Sequence, residues 1–158
     1  MHADSIKGLG VVSIESGAKL GKVDDLLFDA RALRLAALRI SADHQEAVVP
    51  FEQVRAIGGN AVTVATDASA QWGGSGGALA SLPTLGDMKK LKVVDEAGTL
   101  LGTIQHLEIT PDDGAISELR VHKGGVLGIG GDTTIIPAGQ ITSVGDEVIV
   151  VPVGETAR

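Results

Sequence analysis

His106-x-Glu108 would place two metal-ligating side chains on one face of a strand, with His122 one hairpin later. The spacing signals no second carboxylate and no further His beside them, so we read these residues as a solvated strand face, with no metal or cofactor expected. Paired carboxylates occur at Asp24-Asp25, Asp112-Asp113 and Asp146-Glu147. General acid–base chemistry needs such pairs in unlike environments. All three sit at or beside turns, where Asp serves to hydrogen-bond the backbone. The run Gly124-Gly125-Val126-Leu127-Gly128-Ile129-Gly130-Gly131-Asp132 offers amides bare of side chains, but it lacks the Lys-Ser/Thr of a phosphate loop and opens no predicted helix. It reads as a hairpin tip. The hydroxyl residues form no nucleophile elbow, and His2 and His44 read as terminal and hairpin-loop residues. What remains points to binding rather than turnover: Val126, Leu127 and Ile129, apolar at a tip, and Trp72, the only large aromatic outside the predicted barrels. We therefore expect no enzyme, and these four residues are the candidate interaction site.

The elements that position these residues come from a chain of 158 residues, 44% apolar and 21% charged, enough to bury a core. It holds three aromatics (Phe28, Phe51, Trp72), 22 Gly and no Cys. The missing cysteines exclude disulfides and thiol chemistry and suit a cytoplasmic home. The scarce aromatics remove the stacking platforms of single-stranded nucleic-acid sites. Net charge is −7, which repels phosphate backbones and anionic lipid, so the expected partner is another protein, basic in character, and not nucleic acid. The acidity is uneven: residues 1–65 carry 7 basic and 8 acidic side chains, residues 91–158 carry 4 and 10. No export signal or membrane span is predicted.

An internal repeat sets the domain organisation. Residues 11–40 lie over 92–121 without a gap, with eight identities: Val12/Val93, Glu15/Glu96, Gly17/Gly98, Leu20/Leu101, Gly21/Gly102, Leu26/Leu107, Leu38/Leu119 and Arg39/Arg120. Six extra residues in the second copy shift the offset to 87, where Val48-Val49-Pro50 meets Ile135-Ile136-Pro137. The closing strands are then matched as Val62-Thr63-Val64 with Val148-Ile149-Val150. The reading is module one over 1–65, a linker over 66–90 with a Gly-rich start, and module two over 91–158.

Each module presents short strands with regularly spaced turn signals, the pattern of a small antiparallel barrel. In module one these fall near 10–14, 20–28, 33–41, 46–50 and 61–65. The segment 20–28 also suits a helical period when read alone, but its counterpart runs into Pro111-Asp112-Asp113-Gly114, a turn followed at once by another strand pattern. Both copies are read as hairpins. The apolar parity slips at the same place in each returning strand, which predicts a bulge or bend near Ala36-Ala37 and Ser117-Glu118. Single helical turns are expected after Pro50 and Pro137.

With these residues in order, the chain resembles the PRC-barrel family. The resemblance is carried in module one by Gly17, Leu20-Gly21-Lys22-Val23, Asp29 and Val48-Val49-Pro50-Phe51. In module two it is carried by Gly98, Leu101-Gly102-Thr103-Ile104, the run from Gly124 to Gly131 and Ile135-Ile136-Pro137. The family includes the cytoplasmic domain of the photosynthetic reaction-centre H subunit and the C-terminal domain of the ribosome-maturation factor RimM. The resemblance implies an all-β chain of two tandem, closed PRC-type barrels joined by a Gly-rich linker, serving as an adaptor or scaffold without a shared catalytic apparatus. A ribosome- or RNA-associated assembly factor resembling RimM is the alternative, disfavoured by the acidic charge.

A module of this size buries only about 60% of its unfolded surface, and its area gain and chain entropy nearly cancel. The modules are therefore expected to dock on each other, to form a homo-oligomer, or both, with Leu79, Leu82 and Leu85 available to cover a face.

Overall fold

The computed structural model describes residues 1–124 and 131–153, so Val126, Leu127 and Ile129 lie outside the described residues. Module one builds β1 (Gly10–Ser13), β2 (Lys19–Asp29), β3 (Arg34–Ala42), β4 (Gln45–Pro50), β5 (Val54–Ile57) and β6 (Ala61–Val64). The connecting segment adds β7 (Gln71–Trp72) and a short helix α1 (Leu85–Lys89). Module two builds β8 (Lys92–Asp95), β9 (Leu100–Ile109), β10 (Ile116–Gly124), β11 (Gly131–Pro137), β12 (Ser143–Val144) and β13 (Val148–Val151). The segment 20–28 is strand, and 3₁₀ turns follow both prolines, at Phe51–Gln53 and Ala138–Gln140.

The sheet order is β5-β6-β1-β2-β3-β4-β7 in the first half and β11-β10-β9-β8-β13-β12 in the second. Two expectations need correcting. The sheets are not purely antiparallel, because the first strand of each module lies parallel to its last, Val11 opposite Val62 and Val93 opposite Ile149. Nor do the ladders close into barrels: each runs from edge to edge. Pro50 and Pro137 end β4 and β11, and a residue without an N–H cannot carry a ladder onward.

The parity slips mark real bulges. Ala36 is the extra residue of β3 against β2, and Ser117 that of β10 against β9. A second pair, Asp24 on β2 and Gln105 on β9, sits at the same repeat position and increases the curl. The Leu-Gly motif has a steric cause. A Cβ on Gly21 would lie 2.6 Å from the Ser41 carbonyl oxygen, and one on Gly102 2.3 Å from that of His122. Glycine lets neighbouring strands approach where the sheet bends most. The structure also shifts the repeat by one residue at its ends. Val11, not Val12, is the counterpart of Val93, since both oppose the motif glycine. Val62 and Val64 match Ile149 and Val151, the buried positions of β6 and β13.

The two halves share one apolar core, running from Val11, Phe28 and Leu38 to Leu107, Leu119 and Ile149. Their contact is reciprocal. Arg34 bridges Ala115, its own repeat counterpart; the Leu35 N–H donates to the Gly114 carbonyl and the Ile116 N–H to that of Leu33, both at 2.8 Å. A contact in which each residue meets its own equivalent defines an approximate two-fold axis, as in an isologous dimer. The leading segments obey the same axis. The segment before β8 crosses to module one, where Thr84 bridges Leu27 and the Phe28 N–H donates to the Pro83 carbonyl. The segment before β1 crosses to module two, where His2 bridges Glu108 and the Ile109 N–H donates to the Met1 carbonyl. Ala3 and Ile6 on one side, and Leu85 and Met88 on the other, are fully or almost fully buried. Lys89 and Asp4 tie the two segments together at 2.8 Å.

Candidate functional site

Three regions collect polar or exposed apolar groups. The first surrounds His106 and Glu108. Expected to face solvent, these two residues instead meet the crossing N-terminal segment. The Met1 ammonium donates to Glu108 Oε2 at 2.9 Å, and His2 Nδ1 lies 2.7 Å from Oε1. The ammonium hydrogen bond, stronger than the opposing effect of partial burial, holds the Glu108 carboxyl below its usual range. Asp4 lies 3.4 Å from His106 Nδ1; burial pushes its carboxyl up, but Lys89 and His106 more than offset this, and the net shift is downward. His2 is exposed, as read from sequence, and also partners Glu108, with its ring 5.1 Å from that of His106. His122 stands apart, 3.3 Å from Thr133 Oγ1. Among the described residues, no three His, Asp or Glu side chains converge as metal ligands. This cluster fastens the chain's first residues to module two.

The second region is a cleft of about 950 Å³ between the halves. Its floor is apolar, with Phe28, Met88 and Leu91, and its rim mixes Arg31, Lys90 and Lys92 with Asp29, Asp87, Asp146 and Glu147. Arg31 and Asp146 face each other across it at 3.6 Å, both largely exposed. A rim so balanced selects no ligand charge.

The third region is the pair of outer sheet edges, where the repeat departs most from itself. In module one the edge strand β4 is covered. Ala47 pairs with Trp72 and Val48 with Gln71 in an antiparallel ladder. Beyond that, Leu79 and Leu82 pack on a small cluster of Leu27, Ala37 and Val48. Trp72 is half-buried against the main core, so the candidate aromatic packs on its own module. The offsets place Glu108, Glu118 and Ile135 of module two where module one has Leu27, Ala37 and Val48. Among the described residues no strand pairs with the outer side of β11, and Ile135 is 38% exposed. Glu118 sits directly opposite Glu108 across β9 and β10, an arrangement of like charges that costs stability unless one is compensated. Glu108 has the Met1 ammonium; no ion pair reaches Glu118 among the described residues. The sequence placed Ile135 in the repeat and Glu118 at a predicted bulge, but marked neither as a site residue. The signal was present, in the replacement of Leu27 and Ala37 by glutamates under an otherwise apolar match.

No helix among the described residues is long and apolar enough to cross a membrane. No curated protein matches the chain. A family model described as the PRC-barrel domain matches it twice, over residues 1–71 and 84–158. The chain therefore belongs to the PRC-barrel family and carries the family's domain in tandem.

Proposed function

We propose that this chain is a non-catalytic protein-interaction or scaffold module, cytoplasmic, that presents a binding surface on its second half. The observation that carries the reading is the unequal treatment of equivalent edges. Module one covers β4 with β7 and two leucines, whereas β11 keeps an open outer edge with Ile135 exposed among the described residues. An uncovered strand edge is a template for another chain. The excess of acidic residues in 91–158 supports a basic protein as the partner rather than a nucleic acid. The candidates Val126, Leu127 and Ile129 lie between β10 and β11 in sequence.

The test is affinity purification of the full chain from its native cell, followed by reconstitution with the purified partner. A defined stoichiometric complex, weakened by the combined substitutions V126S, L127S and I129S, is expected. Recovery of RNA retained in a salt-dependent way, or turnover of a small molecule by the purified chain, would replace the proposal.

A further inference from the structure

The open edge can be read more closely, because the molecule holds a filled copy of the same site. We infer that β11 accepts an extended, basic segment of a partner protein as an added antiparallel strand, an inference that rests on the interaction reading above. On β4 the added strand places Trp72 opposite Ala47 and Gln71 opposite Val48. The equivalent positions on β11 are Thr134 and Ile135. Main-chain pairing along a sheet edge supplies affinity with little demand on sequence, while the side chains beside it supply selectivity.

Those side chains differ between the copies in a way that names the ligand's chemistry. On module one the covering chain reaches Leu27, Ala37 and Val48 and meets them with Leu79 and Leu82. On module two the same platform is Glu108, Glu118 and Ile135. Glu108 is already compensated by the Met1 ammonium. Glu118 is half-buried and faces it as a like charge. A chain that carries Lys or Arg where module one has leucines satisfies Glu118 and lays its aliphatic stem along Ile135. A second copy of this chain fits less well, since pairing two β11 edges brings together two halves that each hold 10 acidic and 4 basic residues.

The probe is a synthetic peptide of residues 69–83, the chain's own covering segment, carrying L79K and L82K. It is titrated into the full-length, isotope-labelled protein and followed by amide chemical shifts. Shifts at Thr133, Thr134, Ile135 and Glu118 are expected. Affinity should exceed that of the L79E and L82E peptide by about tenfold, the scale of exchanging one attractive for one repulsive charge contact. The preference should shrink in Glu118→Gln and at high salt. Thr134→Pro should abolish binding; Ile135→Lys, at an exposed position that leaves the core intact, should weaken it as well and guards against a folding defect. Equal affinity for the two peptides, shifts confined to other surfaces, or a concentration-dependent dimer dissolved by Ile135→Lys would overturn the inference, the last by giving the edge to a second copy. If the peptide fails while the native partner still binds the Ile135→Lys protein, the β11 assignment falls and the interaction reading stands. If neither the peptide nor any partner protein binds the unsubstituted chain, both fall.

Discussion

Modules one and two share a skeleton and differ in their outer skins. Inside, the correspondence holds position by position: the motif glycines, the paired bulges at Ala36 and Ser117, the strands ended by Pro50 and Pro137. Outside, Leu27 and Ala37 become Glu108 and Glu118, and the edge covered by β7 in one copy is open, among the described residues, in the other. The difference teaches that the duplicated core holds the molecule together while the two outer surfaces diverged. Core positions are bound by steric fit on every side, whereas a surface position is bound only by what covers it.

The comparison breaks most sharply at the glycines. Gly102→Ala and Gly21→Ala each push a methyl group into a backbone carbonyl, and we expect a loss of roughly 3 kcal/mol or more for the first. The second should cost less, because Gly102 also holds a φ of +138° and Gly21 holds no positive φ. Thermal unfolding by calorimetry should show a single transition in both variants. Two separate transitions would mean that the halves do not share one core.

Next in size is removal of the cover. Leu79→Ala with Leu82→Ala strips the half-buried side chains from Leu27, Ala37 and Val48, and should cost about 2 kcal/mol in urea denaturation. Ile135→Ser, at the matching site of module two, should change stability by less than about 0.5 kcal/mol. Equal losses would show that β11 is covered after all.

The seam between the halves gives a smaller effect. A Cβ on Gly114 would lie 3.0 Å from the Phe51 ring of the other module, at a φ of +74°. Gly114→Ala should cost about 1–2 kcal/mol, and a double-mutant cycle with Phe51→Ala should recover part of it. Strict additivity would place the ring elsewhere. The counterparts of Gly114 and Phe51 are Leu33 and Ala138, so small and large are exchanged across the axis.

The smallest expected change is at Glu108. Its folded carboxyl is held below the ordinary value, so the stability it adds is present above about pH 4.5 and is lost as pH falls through the folded value. Glu108→Gln should therefore differ from the native chain by under about 1 kcal/mol near neutrality, the gap closing in acid. A gap that widens below about pH 4 would reverse the assignment.

Strands, turns and the bulges at Ala36 and Ser117 were legible in the sequence because each leaves a local trace in apolar parity or turn chemistry. The bulges at Asp24 and Gln105 left none, since Val23 and Leu26 fit a helical spacing as readily as a broken strand. The parallel pairing of first and last strands pairs residues about 50 positions apart, and period two is blind to the direction of a partner. The adjacent valines Val11 and Val12 made the repeat slide by one residue unnoticed. The candidate site was half legible. Trp72 stood out by type, but its seat on β4 did not, and the edge left open in module two appears only when two sheets can be compared strand by strand.

The crossing of the leading segments also sets an order of events during synthesis. Ala3 and Ile6 are buried, and the backbone of Met1 is bound by Ile109. Their seat does not exist until β9 has left the ribosome, about 5–20 s after the first residues at ordinary translation rates. Module one likewise waits for Thr84 before Leu27 is bridged. Residues 1–6 thus wait, unplaced, while module one and the first strands of module two are made.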